Sequence, residues 1–113
     1  MNQEQIEQVA DLIDEAGYFI NYWAVKGHHD TQAQTYAITL DAESADYTDK
    51  TKVVITYAQI DEAIRKIAQG GIVRSDLTEA AQDYVAEPGD ADLDAEFADC
   101  AVQVAAFGEV VFG

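Results

Sequence analysis

The order in which helix-like and strand-like patterns follow one another limits the fold of this chain more than any other feature. Residues 3–16 repeat apolar side chains at helical spacing, with acidic side chains on the opposite side, and Gly17 fits the position after a helix. Three runs rich in β-branched and aromatic residues follow at 18–25, 35–40 and 52–57. We predict a strand for each run and a polar turn or loop between successive strands.

Helical spacing returns in the second half of the chain. It predicts helices over 57–69, 76–86 and about 95–107. Thr56 fits the start of the first of these, with Gln59 three residues later as its partner in a capping box. The pattern therefore places three helices after the three strands.

Single residues mark the ends of the last two helices. Ser75 is the predicted cap of the helix that follows it, and Asp92 or Asp94 is the predicted cap of the last helix. Gly108 fits the end of that helix, and residues 109–112 are predicted to add a short final strand. The complete order predicts an α+β fold, in which about four helices pack on a small three-stranded antiparallel sheet.

The composition fits one folded domain and excludes several other classes. Of the 113 residues 49% are apolar, which suits a single domain over residues 1–113 and excludes a disordered acidic tail. No apolar run approaches the roughly 20 residues of a membrane helix, and the acidic start lacks the basic region of a secretory signal. The single cysteine, Cys100, is predicted to be a buried apolar side chain and fits the reducing cytoplasm.

The charge is strongly one-sided, with a formal net charge of -16. A chain this acidic is repelled by nucleic acid and by anionic lipid, so a partner that it attracts electrostatically should be basic. We therefore predict no direct binding to nucleic acid or to a membrane. Lysine and arginine are absent before residue 26 and after residue 74, and they occur only at Lys26, Lys50, Lys52, Arg65, Lys66 and Arg74.

The acid-rich stretch EPGDADLDAEFADC, residues 87–100, admits three interpretations. A calcium loop of the EF-hand type requires a glycine at its sixth position and a glutamate at its twelfth, and these positions hold Ala95 and Ala101. A helix start explains Asp94 and Glu96, because acids in the first turn interact favourably with the helix dipole. Neither interpretation explains why no basic residue accompanies the acids.

The third interpretation is that the acids imitate the charge of a nucleic acid. Duplex DNA carries one negative charge per roughly 1.7 Å of axis, and carboxylates at helical spacing approach such a density. The first helix also offers a cluster of acids, at Glu4, Glu7, Asp11, Asp14 and Glu15. The residues predicted to bind the partner are Asp76, Glu79, Asp83, Asp90, Asp92, Asp94, Glu96 and Asp99.

The sequence offers little support for catalysis, a metal or a cofactor. Adjacent side chains at His28 and His29 point apart in a strand or turn, and the chain has no further histidine to complete a metal site with them. Asp30 beside them is predicted to lie in the same polar turn. Nucleophile elbows, phosphate loops and dinucleotide fingerprints are also absent from the sequence. We therefore predict that the protein is not an enzyme and needs no cofactor or metal.

Aromatic side chains cluster in the predicted first strand. If residues 18–25 alternate, both faces of the strand carry large side chains, and the face that is not core exposes them. Exposed aromatic residues are enriched at protein interfaces. The predicted interface of a homodimer comprises Tyr22, Trp23 and Phe112.

Three segments carry a resemblance to a known group of proteins. They are INYWA at 20–24, ITYAQIDEAIRKIAQGG at 55–71 and ADCAVQVAAFGEVVFG at 98–113. Together they resemble small acidic hypothetical proteins of bacteriophages and actinobacteria that end in DCxVQxAxFGExxxG. The resemblance implies a phage or mobile-element origin and a site of action in the host cytoplasm, and it supplies no catalytic residues. In charge, though not in motif, the chain is similar to anti-restriction and anti-CRISPR DNA mimics.

Two functions follow as hypotheses. The first is a non-enzymatic inhibitor that imitates nucleic-acid charge and binds a basic host defence protein, such as a nuclease or a CRISPR effector complex. The alternative is a small homodimeric structural or accessory module, in which the aromatic residues make the contacts and the acidity serves solubility alone.

Overall fold

Three antiparallel strands and five α-helices form the part of the chain that the computed structural model describes, residues 1–87 and 94–113. This confirms the predicted α+β fold with its three-stranded antiparallel sheet, and the number of helices is close to the predicted four. The elements are α1 (Gln3–Gly17), β1 (Ala24–Asp30), β2 (Thr35–Leu40), α2 (Ala42–Thr48), β3 (Lys52–Thr56), α3 (Tyr57–Ala68), α4 (Ser75–Ala86) and α5 (Ala95–Phe107).

Most helix ends follow the capping signals in the sequence. The predicted capping box of α3 is confirmed, since the side chains of Thr56 and Gln59 each accept a hydrogen bond from the other's backbone N–H. Asp94 caps α5 by accepting a hydrogen bond from the Phe97 amide at 2.7 Å. The prediction that Ser75 caps α4 is wrong, because Arg74 occupies the cap position without a capping side-chain bond.

The first strand lies further along the chain than predicted. Residues 18–23 form a turn and a short 3-10 helix, and β1 begins only at Ala24, so it runs through the stretch predicted to be a polar turn. The strand can pass close to Tyr36 because residue 27 is glycine. A Cβ at that position would lie 2.7 Å from the ring of Tyr36, which is too close. The hairpin turn follows Asp30, whose side chain accepts two backbone N–H bonds from the turn.

Two further segments differ from the prediction. The loop predicted between the second and third strands contains α2, which Asp41 caps by accepting a hydrogen bond from the Ser44 amide at 2.8 Å. Asp49 ends α2 in the left-handed conformation. Residues 109–112 form no strand, and the side chain of Gln103 rather than a neighbouring strand binds the amides of Val111 and Phe112.

The helices cover one face of the sheet and leave the other open. β2 lies at the centre of the sheet, and it turns Tyr36, Ile38 and Leu40 into the core. On the open face Val54 of β3 remains 58% exposed. The helix α5 packs against α1, α3 and β3, and it is buried on nearly all sides from Phe97 to Val104, as expected of a helix that is mostly apolar around its circumference.

Within the described residues, no helix combines the length and the apolar character that crossing a membrane requires.

Candidate functional site

The acids predicted to bind a partner do not form one unpaired surface. Arg74, at the start of α4, donates a hydrogen bond from Nε to Asp76 Oδ1 at 2.7 Å, and its Nη1 pairs with Glu96 of α5. The hydrogen bond from Arg74 is the main reason that the pKa of Asp76 lies below its usual range. Arg74 is distant from Glu96 in the sequence but lies between the two acids in space, so it offsets half of their charge.

Asp99 is buried rather than exposed. Its side chain lies on the inner side of α5, and the residue keeps only 2% of its accessible surface. The prediction that Asp99 contacts a partner at the surface is therefore wrong, because a carboxylate covered in this way cannot reach another protein.

The remaining predicted acids fall into two groups. Glu79 and Asp83 of α4 and Asp94 at the start of α5 are exposed, as a surface contact requires. Asp90 and Asp92 lie outside the described residues. The exposed acids of α4 and α5 thus stay part of the predicted surface.

A buried polar network surrounds Asp99. The hydroxyl of Tyr22 donates to Oδ2 at 2.6 Å, and the indole Nε1 of Trp23 donates to Oδ1 at 2.8 Å. Gln103, one helical turn further along α5, donates from Nε2 to both oxygens at 3.1 Å. The carboxylate thus accepts hydrogen bonds from three neutral donors, which compensates for much of its lost hydration.

The same network fixes the C-terminal segment. Gln103 Oε1 accepts hydrogen bonds from the amides of Val111 and Phe112 at 2.9 and 2.7 Å, and its Nε2 donates to the Phe112 carbonyl at 3.0 Å. The Phe112 ring stacks on Trp23, with centroids 5.5 Å apart and planes 12° from parallel. One glutamine therefore satisfies the backbone groups that a strand would otherwise have paired.

These contacts change the predicted dimer interface. Trp23 is wholly buried, so the prediction that it contacts a second copy of the chain is wrong. Phe112 is half-buried against Trp23, Phe107 and Tyr47 of the same chain. Tyr22 is 44% exposed as a residue, while burial and the hydrogen bond to Asp99 raise the pKa of its hydroxyl. Sequence reasoning missed this network because it read the aromatic residues as one alternating strand.

A cleft of about 740 Å³ opens beside the network, between the C-terminal segment and the start of α4. Its volume lies in the range of ligand-binding pockets. Among the described residues, the charged side chains that line it are those of Arg74, Glu96 and Asp99. Most of the wall is apolar or aromatic, formed chiefly by Phe19, Tyr22, Ile72, Val73, Leu77 and Phe112.

Cys100 also lines this cleft but is poorly suited to react. Its predicted burial is confirmed, and burial is the main cause that raises the pKa of its thiol to about 11. At neutral pH the thiol therefore stays protonated, whereas nucleophilic cysteines require the thiolate.

The two histidines lie in β1 and not in the predicted turn. His28 points to the open face of the sheet, while His29 points inward and hydrogen-bonds the hydroxyl of Tyr57. The Nδ1 atom of His29 also lies 3.8 Å from Asp14 Oδ1. In the stretches 1–87 and 94–113, no three His, Cys, Asp or Glu side chains are arranged to hold a metal ion.

The helix α1 carries a row of exposed acids, which we call the α1 stripe: Glu4, Glu7, Asp11 and Asp14. Its buried side chains, including Val9 and Leu12, lie on the opposite face. Among the described residues, no lysine or arginine lies within ion-pair distance of the stripe, and His29 is the one basic group that approaches it. The stripe is therefore a surface of largely uncompensated negative charge.

Comparison of the chain with protein-family models, with curated proteins and with solved structures gives no match.

Proposed function

We propose that the protein is a non-enzymatic binding protein that attaches to a basic, nucleic-acid-binding partner by presenting carboxylates in place of phosphates. The α1 stripe is the observation that carries this proposal. The exposed acids Glu79 and Asp83 of α4 and Asp94 before α5 would extend the negative surface.

The spacing of the α1 stripe supports the comparison with a phosphate backbone. Glu4 to Asp14 spans ten residues, or about 15 Å of helix axis, and the half-buried Glu15 follows on the same side. The four acids of the stripe are therefore about 5 Å apart on average along the axis, or about 4 Å if Glu15 is counted, which is comparable to the ~3.4 Å per phosphate along one DNA strand. A cationic groove that accepts phosphates at that spacing can also accept these carboxylates.

The absence of compensation within the helix supports the same proposal. Like charges three or four residues apart weaken a helix by about 0.2–0.5 kcal/mol per pair, and the stripe contains several such pairs. Lysines among these acids would relieve the repulsion, and Gln3–Gly17 contains none. The resemblance of the C-terminal segment to phage proteins makes a host defence nuclease the kind of partner that we propose, and the host cytoplasm the place where they meet.

Paired charge variants test the proposal. The first variant neutralises the stripe by Glu4→Gln, Glu7→Gln, Asp11→Asn and Asp14→Asn. The control neutralises four exposed acids elsewhere, by Glu43→Gln, Asp46→Asn, Glu62→Gln and Glu109→Gln, so both variants have the same net charge. Each immobilised protein is exposed to host extract at low salt, and bound proteins are eluted with a salt gradient.

The expected result is a protein that binds wild type and control, elutes with salt and is displaced by duplex DNA. The stripe variant should retain at least tenfold less of it, because four charge contacts are lost and surface charges are screened beyond about 8 Å at physiological salt. Equal retention on the stripe variant and the control, or capture that salt does not weaken, would contradict the proposal.

A further inference from the structure

The cleft beside Asp99 combines aromatic walls with negative charge. Phe19 and Tyr22 stand edge to face at its mouth, with ring centroids 5.8 Å apart, and they are 39% and 44% exposed. Phe112 lines the cleft from the C-terminal side. Rings in such positions attract cations through their negatively charged faces.

The charges around the cleft favour a cation as well. Glu96 and Asp99 line it, and in the described part of the chain no lysine, arginine or histidine lies within ion-pair distance of Asp99. Among the lining residues that the structure describes, Arg74 is the only basic one, and both Asp76 and Glu96 bind it. The formal charge of this group, counting Asp76, is therefore negative.

From this arrangement we infer that the cleft binds an organic cation, specifically the side chain of an arginine or lysine that the partner inserts. The aliphatic stem of such a side chain would contact the apolar wall, while its charged end would lie between the aromatic rings and Glu96. The buried Asp99 would attract it through its charge, without direct contact. Phe19 and Tyr22 of the lining are exposed, so a side chain can reach the cleft while attached to a protein. This inference rests on the proposed function and describes its basic partner further.

A blocked tripeptide tests the site without knowledge of the partner. The probe is acetyl-Gly-Arg-Gly-amide, and the control peptide replaces arginine with citrulline, which has nearly the same shape but no charge. Trp23 is the only tryptophan in the chain, and its indole N–H bonds Asp99, so its single NMR signal reports on the cleft. The expected result is a saturable shift of that signal, with citrulline binding about tenfold more weakly.

Matched variants locate the binding. Phe19→Ala removes an aromatic wall and should weaken arginine-peptide binding about fivefold, whereas Tyr18→Ala removes a neighbouring exposed ring outside the cleft and should leave it unchanged. Glu96→Gln should also weaken binding, and Glu62→Gln, an exposed acid outside the cleft, should not. Equal binding of both peptides, absence of a saturable shift, or equal losses in the variants and their controls would overturn the inference.

Capture of the partner separates this inference from the proposed function. Loss of capture in both Phe19→Ala and Glu96→Gln would support the inference. Capture that survives those two changes but is lost in the α1 stripe variant would overturn the inference and leave the proposed function intact. Capture that is unchanged in the stripe variant would overturn the proposed function, even if the arginine peptide binds in the cleft.

Discussion

The helices α1 and α5 both carry acids, but α1 exposes them while α5 buries one of its two, Asp99. The α1 stripe lies on the surface with almost no compensating charge. On α5, Asp99 lies inside the protein and accepts hydrogen bonds from Tyr22, Trp23 and Gln103. The carboxylates that produce the net charge of -16 therefore have two different roles in this molecule. Some of its carboxylates hold the fold together, and others form the surface available to a partner.

The largest effect is expected from Gln103→Glu, which tests whether the buried region depends on neutral donors. The substitution keeps the size of the side chain but places a second carboxylate beside Asp99 and the Phe112 carbonyl, where Gln103 donates hydrogen bonds. We expect a loss of about 3 kcal/mol in the free energy of unfolding, measured by urea denaturation.

The control for this prediction is Gln32→Glu, which adds the same charge in the exposed hairpin turn and should change stability by less than about 0.5 kcal/mol. Similar losses at residues 103 and 32 would show that added net charge, and not the buried network, determines the result.

The reactivity of Cys100 tests how strongly burial suppresses chemistry in α5. Because its pKa is raised from 9.0 to about 11, the thiolate fraction near pH 8 falls about a hundredfold. We expect a thiol reagent to react at least a hundred times more slowly with the native protein than with the protein in urea. If the Cys100 thiol reacted as fast in the native protein as in urea, the result would contradict the burial of this residue.

The same shift predicts a dependence of stability on pH. The folded state favours the protonated thiol, so this contribution to stability is complete below about pH 9 and disappears as the pH rises through about 11. The variant Cys100→Ala should show a shallower loss of stability over that interval. An unchanged slope would assign the alkaline loss to the buried tyrosines Tyr36, Tyr57 and Tyr84, whose pKa values are also raised.

A pair of isosteric changes compares the two regions directly. Asp99→Asn places an amide N–H₂ among groups that themselves donate, and we expect it to cost about 2 kcal/mol of stability. Asp11→Asn on the α1 stripe should change stability by no more than about 0.5 kcal/mol. Thermal denaturation of both variants at one ionic strength measures the difference, and equal values would remove the distinction between the regions.

The sequence predicted the helices better than the first strand, for a physical reason. Periodicity and capping residues act locally, so α3, with Thr56 and Gln59, begins where predicted. The aromatic run 18–25 has high β-propensity, but hydrogen bonds to β2 select Ala24–Asp30 as the strand. The helix α2 had a local signal in Asp41 that the polar loop interpretation overlooked.

The candidate site was harder to predict, because it depends on contacts between distant residues. No local pattern places Arg74 beside Glu96, or Trp23 beside Asp99. One signal was present: Asp99 and Gln103 are polar residues one turn apart in a helix that is otherwise mostly apolar beyond its first turn. A helix that is apolar on all sides is usually buried, so its polar side chains need hydrogen-bond partners inside the protein. The pair therefore indicates a buried polar network rather than a surface site.

The smallest change in stability is expected from Glu7→Gln. Its sign should be opposite to that of the change caused by Asp99→Asn. Glu7 lies three residues from Glu4 and four from Asp11, so neutralising it removes two repulsive pairs from the α1 stripe. We expect a gain of about 0.5 kcal/mol in stability at low salt, which should vanish near 1 M salt because screening then acts within about 3 Å. A loss of stability, or a gain that salt does not change, would mean that Glu7 acts through a specific contact. Removal of a carboxylate should therefore stabilise the fold on α1 and destabilise it on α5, since exposure decides whether the dominant effect is repulsion or hydrogen bonding.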